Sequence, residues 1–433
     1  MLIKFKVGNY LSFKDEVEFS LEAASIKEYA ENNVFEPEHV KVRLLKSAAV
    51  FGANAAGKSN LIKAFELMKD MVLNSAKGLQ VNEMIAVENF KLNISTAKRP
   101  STFEIEFIND NKVYQYAFQI DKERIWREQL IEIRRTKNVI LFHRLYNQIT
   151  VSEFFTEGKG LEDKTRINAL FLSVIAQFNG SIASRILGWF QKVVFLSDLN
   201  TKTSFNHSIN LLSDEKRKKQ LLKILEIANL GFEDIVIKKF KLREDQLSEM
   251  PDDIKKLILS SAHGTPGKIL TIHKKYDQNN KVVGHEEFSF SHEESLGTQK
   301  YFSLSGYILD ALTQGGVLVI DELDAKLHPL LSTLIVQFFN STTDNIRDAQ
   351  LIFSTNNTNL LSDKIFRRDQ IYFVEKDELG SSKLMNLLDK GVRNDASFEK
   401  DYLNGNYSAV PFSKKDRPQL GLFDENEKGS LFS

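Results

Sequence analysis

Cysteine is absent from the 433 residues, which excludes a disulfide framework and any thiol-based metal or redox centre. No stretch approaches the ~18 consecutive apolar residues that a membrane helix needs. The opening residues, Met1-Leu2-Ile3-Lys4-Phe5-Lys6-Val7, alternate apolar and basic side chains and lack the apolar core of a signal peptide. Excess charge is also missing: 58 Lys and Arg balance 58 Asp and Glu, so the chain lacks the overall basic footprint of a dedicated nucleic-acid binder. There are no internal repeats and no sustained heptads. What is there is globular: 42% of residues are apolar, and the length suits two to three folding units of about 150 residues. The expectation is a cytoplasmic protein with a sizeable core and no membrane partner.

Periodicity outlines the order of elements. Ile3, Phe5 and Val7 share one face of a strand, and a second strand runs from Val17 to Leu21 after a turn at Ser12-Phe13-Lys14-Asp15. Ser47-Ala48-Ala49-Val50-Phe51 is a short buried strand bounded by Gly52. Leu61, Ala64, Phe65, Met68 and Val72 then recur at helical spacing. Residues 102–120 return to period two around an Asn109-Asp110-Asn111 turn, and another strand lies around Leu130 to Ile133. Residues 166–192 read as mostly helical with a break at Asn179-Gly180, ahead of a strand at Val193 to Leu196. From about 200 to 285 the composition shifts to Lys, Glu and Asp, with a helix at 214–228 and a hairpin at 269–290 turning on Asp277-Gln278-Asn279-Asn280. The basic run Lys216-Arg217-Lys218-Lys219 follows Asp214 and Glu215 and reads as a solvated helix face. The expected division is 1–199 and 286–412 as two parts of one core, 200–285 as an inserted lobe, and 413–433 as a polar tail in which Leu420, Leu422 and Phe423 are the residues able to dock.

Three segments carry chemistry. Gly52-Ala53-Asn54-Ala55-Ala56-Gly57-Lys58-Ser59 fits G-x-x-x-x-G-K-[ST] between a strand and a helix. In such a loop, backbone N–H groups, with Asn60 at the helix start, curl around phosphates; Lys58 reaches the β- and γ-phosphates and Ser59 ligates Mg²⁺. Val317-Leu318-Val319-Ile320 is an aliphatic strand ending in Asp321 and Glu322, at the edge where open α/β sheets place ligands. Asp321 is the candidate Mg²⁺ holder and Glu322 the group that polarises the attacking water. Ser295-Leu296-Gly297-Thr298 opens a helix marked by Tyr301, Leu304, Ile308 and Leu312. On local chemistry this segment is an ordinary helix N-cap or a set of phosphate donors.

Together the three segments resemble the ABC-type ATPases near the SMC, DNA-repair and OLD branch, whose signature helix reads S-x-G. Ser295, Gly297 and Thr298 match it, as do Leu323-Asp324 after Glu322 and the strand Gln350 to Thr355 leading to a switch position. More narrowly, the chain is similar to the stand-alone AAA-family ATPases of bacterial anti-phage systems of the RloA, AbiL and PARIS types. That likeness covers Val7-Gly8-Asn9-Tyr10-Leu11-Ser12-Phe13, Asp321 to Asp324, His328-Pro329 and Tyr402-Leu403-Asn404-Gly405-Asn406-Tyr407. It implies an α/β ABC-type head with a mixed central sheet, an antiparallel β lobe and a helix-and-hairpin insertion. It further implies two chains closing over two MgATP, each phosphate loop facing the partner's Ser295 helix, in a homodimer or a higher oligomer of dimers. Asp324 and His328 fall at the dimer seam, with a structural hydrogen bond as the other reading of His328. The expected role is an ATP-dependent switch that restrains a separate effector, a TOPRIM-type nuclease, in abortive infection.

One position departs from that pattern. The switch residue of the family is usually histidine, and here Asn356 stands there, able to hydrogen-bond but not to carry charge. It is either a weakened catalytic switch, implying slow turnover, or the cap of its strand. The Mg²⁺-sensing glutamine has two candidates, Gln177 and Gln191. Rival functions fare worse. A transporter subunit would hold Ser59 and Asp321 closer in sequence, a GTPase would carry N-K-x-D after the loop, and a nuclease in cis would need an Asp-x-Asp pair after Asn356. The main alternative is an SMC- or DNA-repair-like ATPase acting directly on DNA, with salt-dependent binding as its mark.

Overall fold

The computed structural model describes residues 1–197, 201–239, 267–362, 364–394 and 396–407. The alternating N-terminal segments and residues 101–151 join one antiparallel sheet of seven strands. Its spatial order is Gln148–Val151, Val139–Leu145, Ile125–Ile133, Lys112–Ile120, Ser101–Asn109, Leu2–Gly8 and Val17–Ser20. Asp110 and Asn111 turn the central hairpin with φ of 49° and 61°, the paired left-handed angles of a two-residue turn that matches strand twist. The strands at 139–145 and 148–151 were not legible as such. A register shift opposite Leu130 and Ile131 buries both Leu141 and Phe142 and so breaks the alternation.

The second sheet positions the chemistry. Its order is Val193–Leu196, Val317–Ile320, Gln350–Ser354, Ser47–Phe51, Ile371–Lys376 and Ser382–Asn386. The first five strands are parallel and the last is antiparallel. Continuous apolar sequence is explained by cover on both faces, because successive side chains point to opposite sides. Ala48, Val50, Val317, Val319 and Ile352 enter one apolar cluster, with the antiparallel sheet and the Lys58–Gly78 helix. Ala49, Phe51, Leu318, Ile320, Leu351 and Phe353 enter the other, with the Leu296–Gln314 helix. Parallel strands end on one edge, so Gly52, Asp321 and Thr355 emerge side by side.

The helical stretch breaks as expected, into Phe171–Gln177 and Ser181–Gln191, with Asn179 at φ 64°. Between residues 201 and 289, helices Thr201–Leu211 and Glu215–Ile227 accompany a three-stranded antiparallel sheet of Asp234–Lys239, Gly267–Tyr276 and Val282–Ser289. Asp214 caps its helix, accepting the Arg217 N–H at 2.9 Å. The basic run is only half solvated. Arg217 pairs with Asp310 of the Leu296–Gln314 helix, while Lys218 pairs at 2.9 Å with Asp234 of the same 201–289 segment, so one of the four cations ties that segment to the Leu296–Gln314 helix. Lys216 and Lys219 remain exposed. The 413–433 tail lies outside the described residues. Among those described, no helix is long and apolar enough to cross a membrane.

Candidate nucleotide-binding site

Two glycines shape the loop after Phe51. Gly52 has φ +154°, and a Cβ there would lie 2.3 Å from the Val374 carbonyl oxygen. Gly57 has φ +120°, and its Cβ would lie 2.3 Å from Ser382 Oγ and 2.8 Å from Ser12 Oγ. Both angle and space therefore demand glycine. Ala53 is half-buried, Asn54 and Ala55 sit exposed at the tip, and Ala56 is buried beneath them. The helix begins at Lys58 with no side-chain cap. Its first N–H groups stay available to an anion held at the positive end of the helix.

Lys58 is 6% exposed and folds back over the loop. Its ammonium donates to Gly52 O at 2.7 Å, Ala53 O at 3.0 Å and Asn356 Oδ1 at 2.9 Å. Burial pushes its pKa below that of an ordinary lysine, while the carboxylates of Glu322, Asp321 and Asp324 oppose the shift. Asp321 and Glu322 leave their strand on the same edge of the sheet as the loop after Phe51. Ser59 is half-buried, and its hydroxyl has no protein partner among the described residues.

The strand Gln350–Ser354 lies between the loop strand and the acid strand, and its end knits them together. Ser354 Oγ donates to Asp321 Oδ1 at 2.5 Å and accepts the Glu322 N–H at 2.8 Å. This holds Glu322 at φ 54°, turning its exposed carboxylate away from the strand line. Asn356, just past that strand, accepts from Lys58 and offers its N–H to Asp324 Oδ1 at 3.3 Å. Lys58, Asn356 and Asp324 form one connected line.

The signature helix stands apart. Ser295 caps it, accepting the Thr298 N–H at 3.1 Å, with the two hydroxyls 3.0 Å apart. A Cβ on Gly297 would lie 3.1 Å from Lys326 O, which places the helix start against the segment after the acids. No hydrogen bond among the described residues joins Ser295, Gly297 or Thr298 to residues 52–60. His328 is exposed and caps the Pro329–Asn340 helix, its Nδ1 accepting the Leu330 N–H at 3.3 Å. The structural role foreseen for His328 is therefore present. Leu296 and Leu330, 66% and 71% exposed, flank this surface.

Neither glutamine candidate reaches the loop. Gln191 precedes Val193 at the opposite end of its strand, where Lys192 O accepts the Val317 N–H at 3.4 Å. The Gln177 helix meets Ser75 through Ser173 at 3.2 Å, about 25 Å along the Lys58–Gly78 helix from Lys58 at 1.5 Å per residue. Conversely, sequence reasoning gave no role to Ser354 or Ser382. The signal for Ser382 was the Ile371-Tyr372-Phe373-Val374 run followed by Gly380, which marks a strand and hairpin turn.

Comparison with known proteins adds the following. The family described as "AAA domain, putative AbiEii toxin, Type IV TA system" matches residues 47–362, nearly three quarters of the chain. Among solved structures, an SMC head domain from Thermotoga maritima is 12% identical, covering 89% of this chain and 98% of that one, with a TM-score of 0.39. An SmcHead bound to the C-winged helix domain of ScpA is 11% identical, covering 89% and 96%, with a TM-score of 0.42. The curated proteins gave no match.

Proposed function

The chain belongs to this AAA-domain family, and on that premise we propose that it is an ATP-binding, slowly hydrolysing switch of a bacterial anti-phage complex, controlling a separate effector of the TOPRIM nuclease type. The observation that carries the nucleotide reading is the line Lys58–Asn356–Asp324 beside Asp321 and Glu322. Lys58 would exchange loop carbonyls for phosphate oxygens, the stronger, charge-assisted acceptors. Ser59 and Asp321 offer a hydroxyl and a carboxylate, the oxygen donors that suit Mg²⁺. Bound there, the cation would neutralise phosphate charge. Among the described residues no cluster of three or more His, Cys, Asp or Glu forms an all-protein cage, which fits a cation shared with phosphates.

Glu322 is the proposed proton acceptor for the attacking water, and Asn356 orients the terminal phosphate. The separation of Ser295 from the phosphate loop within one chain supports completion of each site by a second copy, with Asp324 and His328 near the seam. A neutral Asn356 lacks the charge an imidazolium would bring. That contact is worth on the order of 1.5–3 kcal/mol, or roughly ten- to a hundredfold in rate. Wild-type turnover should therefore be slow, and Asn356→Ala slower still in steady-state hydrolysis. An alanine variant equal to wild type in turnover and ATP-dependent assembly would leave Asn356 as a strand cap.

The effector reading rests on the missing Asp-x-Asp pair. Expressed alone, the chain should neither cut nucleic acid nor arrest growth, as followed by plasmid integrity and culture density. Direct action on DNA has one feature in its favour: Lys216, Lys219 and Lys223 stand exposed along one face of the Glu215–Ile227 helix. Tight, steeply salt-dependent DNA binding would favour that second reading.

A further inference from the structure

Three segments far apart in sequence meet behind the phosphate loop. The Tyr10–Phe13 turn is closed by two backbone hydrogen bonds of 2.9 and 2.8 Å, with Leu11 at φ 48°. It presents Ser12 to Ser382, whose N–H donates to Ser12 O at 2.7 Å. Ser382 opens the last strand of the parallel sheet's edge hairpin. The two hydroxyls are 2.7 Å apart. Asn60 Nδ2, from the first turn of the loop helix, reaches Ser12 Oγ at 2.8 Å, and Ser382 Oγ reaches Ala56 O at 2.5 Å.

We propose that Ser12 and Ser382 are positioning residues for the nucleotide, a hydroxyl relay that sets the Ala56–Gly57 peptide so that the Gly57 N–H faces the bound phosphates. Ala56 O can only accept, so Ser382 Oγ donates to it; the same hydroxyl also faces Ser12 Oγ as donor, sharing its one hydrogen, and Ser12 Oγ accepts from Asn60 as well. The contacts connect the Asn60 amide, Ser12, Ser382 and the Ala56 carbonyl.

The consequence follows from the planar trans peptide, in which C=O and the next N–H point opposite ways. Pinning Ala56 O outward commits the Gly57 N–H to the inner face of the loop. Among the described residues the N–H groups of Gly57, Lys58 and Ser59 have no acceptor within the chain, so three donors stand in a row at the helix start, where an anion is favoured. Gly57 also fits the relay sterically, because any side chain there would occupy the place of Ser382 Oγ. Both serines lie outside the matched segment 47–362, so the family match assigns them nothing.

This inference rests on the nucleotide reading, and the test separates the two. Equilibrium binding of labelled ATP and ADP would be measured for wild type, Ser382→Ala, Ser12→Ala, the double variant, Ser382→Thr and Lys58→Ala, with thermal melting of each. Loss of one neutral hydrogen bond should weaken both nucleotides roughly three- to tenfold in Ser382→Ala. KM should rise by the same factor, with kcat at saturating ATP held within about twofold. Because the serines act in series, the double variant should lose no more than the weaker-binding single variant. Ser382→Thr, which keeps the hydroxyl, should bind near wild type. Unchanged affinity in Ser382→Ala, additive losses in the double variant, or a fall in kcat without a rise in KM would overturn the relay while leaving the nucleotide site intact. Wild type binding no better than Lys58→Ala would overturn both.

Discussion

Lys58→Ala should lose ATP binding by on the order of a hundredfold or more. The ammonium already sits among Gly52 O, Ala53 O and Asn356 Oδ1. A charge-assisted hydrogen bond contributes about 1.5–3 kcal/mol, and Lys58 would make such bonds to two phosphates. Burial holds its pKa below the ordinary lysine value. Affinity should therefore fall with rising pH before an exposed lysine would titrate, because the neutral amine loses the charge that phosphate needs. Alanine also removes the three hydrogen bonds that Lys58 makes across the loop, so thermal melting must accompany the binding measurement. A folded variant with wild-type affinity would end the assignment of residues 52–59 as a phosphate site.

Legibility in the sequence followed chain distance. The phosphate loop, the Val317–Ile320 strand with its two acids and the Ser295 cap are set by contiguous residues, and spacing alone located them. Contacts across the chain were invisible. Ser12 and Ser382 meet 370 positions apart, and neither residue type announces a partner. Arg217 looked solvated because its carboxylate, Asp310, sits 93 positions on. Gln191 failed as a metal sensor for another reason. Periodicity finds a strand but not which of its ends faces the ligand, and that depends on parallel pairing with Val317–Ile320. Asn356 was placed by analogy, but its hydrogen bonds to Lys58 and Asp324 come from the strand order, which inserts Gln350–Ser354 between loop and acids.

Glu322→Gln should bind ATP with little loss and hydrolyse it some hundredfold to ten-thousandfold more slowly. Its carboxylate makes no hydrogen bond or ion pair among the described residues, and the backbone that aims it is held through the Glu322 N–H by Ser354 Oγ. That hydrogen bond survives the substitution, since only the side chain changes. The amide keeps the shape of the carboxylate but cannot accept a proton from water, and general-base contributions have that size. Lys58, Ser59 and Asp321 are untouched, so the ATP-loaded state should form and then persist. If the Ser295 helix of a second copy completes the site, that state is an assembly, and light scattering should give a larger mass with ATP than without it. The variant should hold that mass for far longer than wild type, in which hydrolysis is expected to empty the site. Hydrolysis at the wild-type rate would move the base away from Glu322. Hydrolysis lost with no ATP-dependent change in mass would keep the base and remove the sandwich. The exposure of Ser295, Leu296, His328 and Leu330 would then need another explanation.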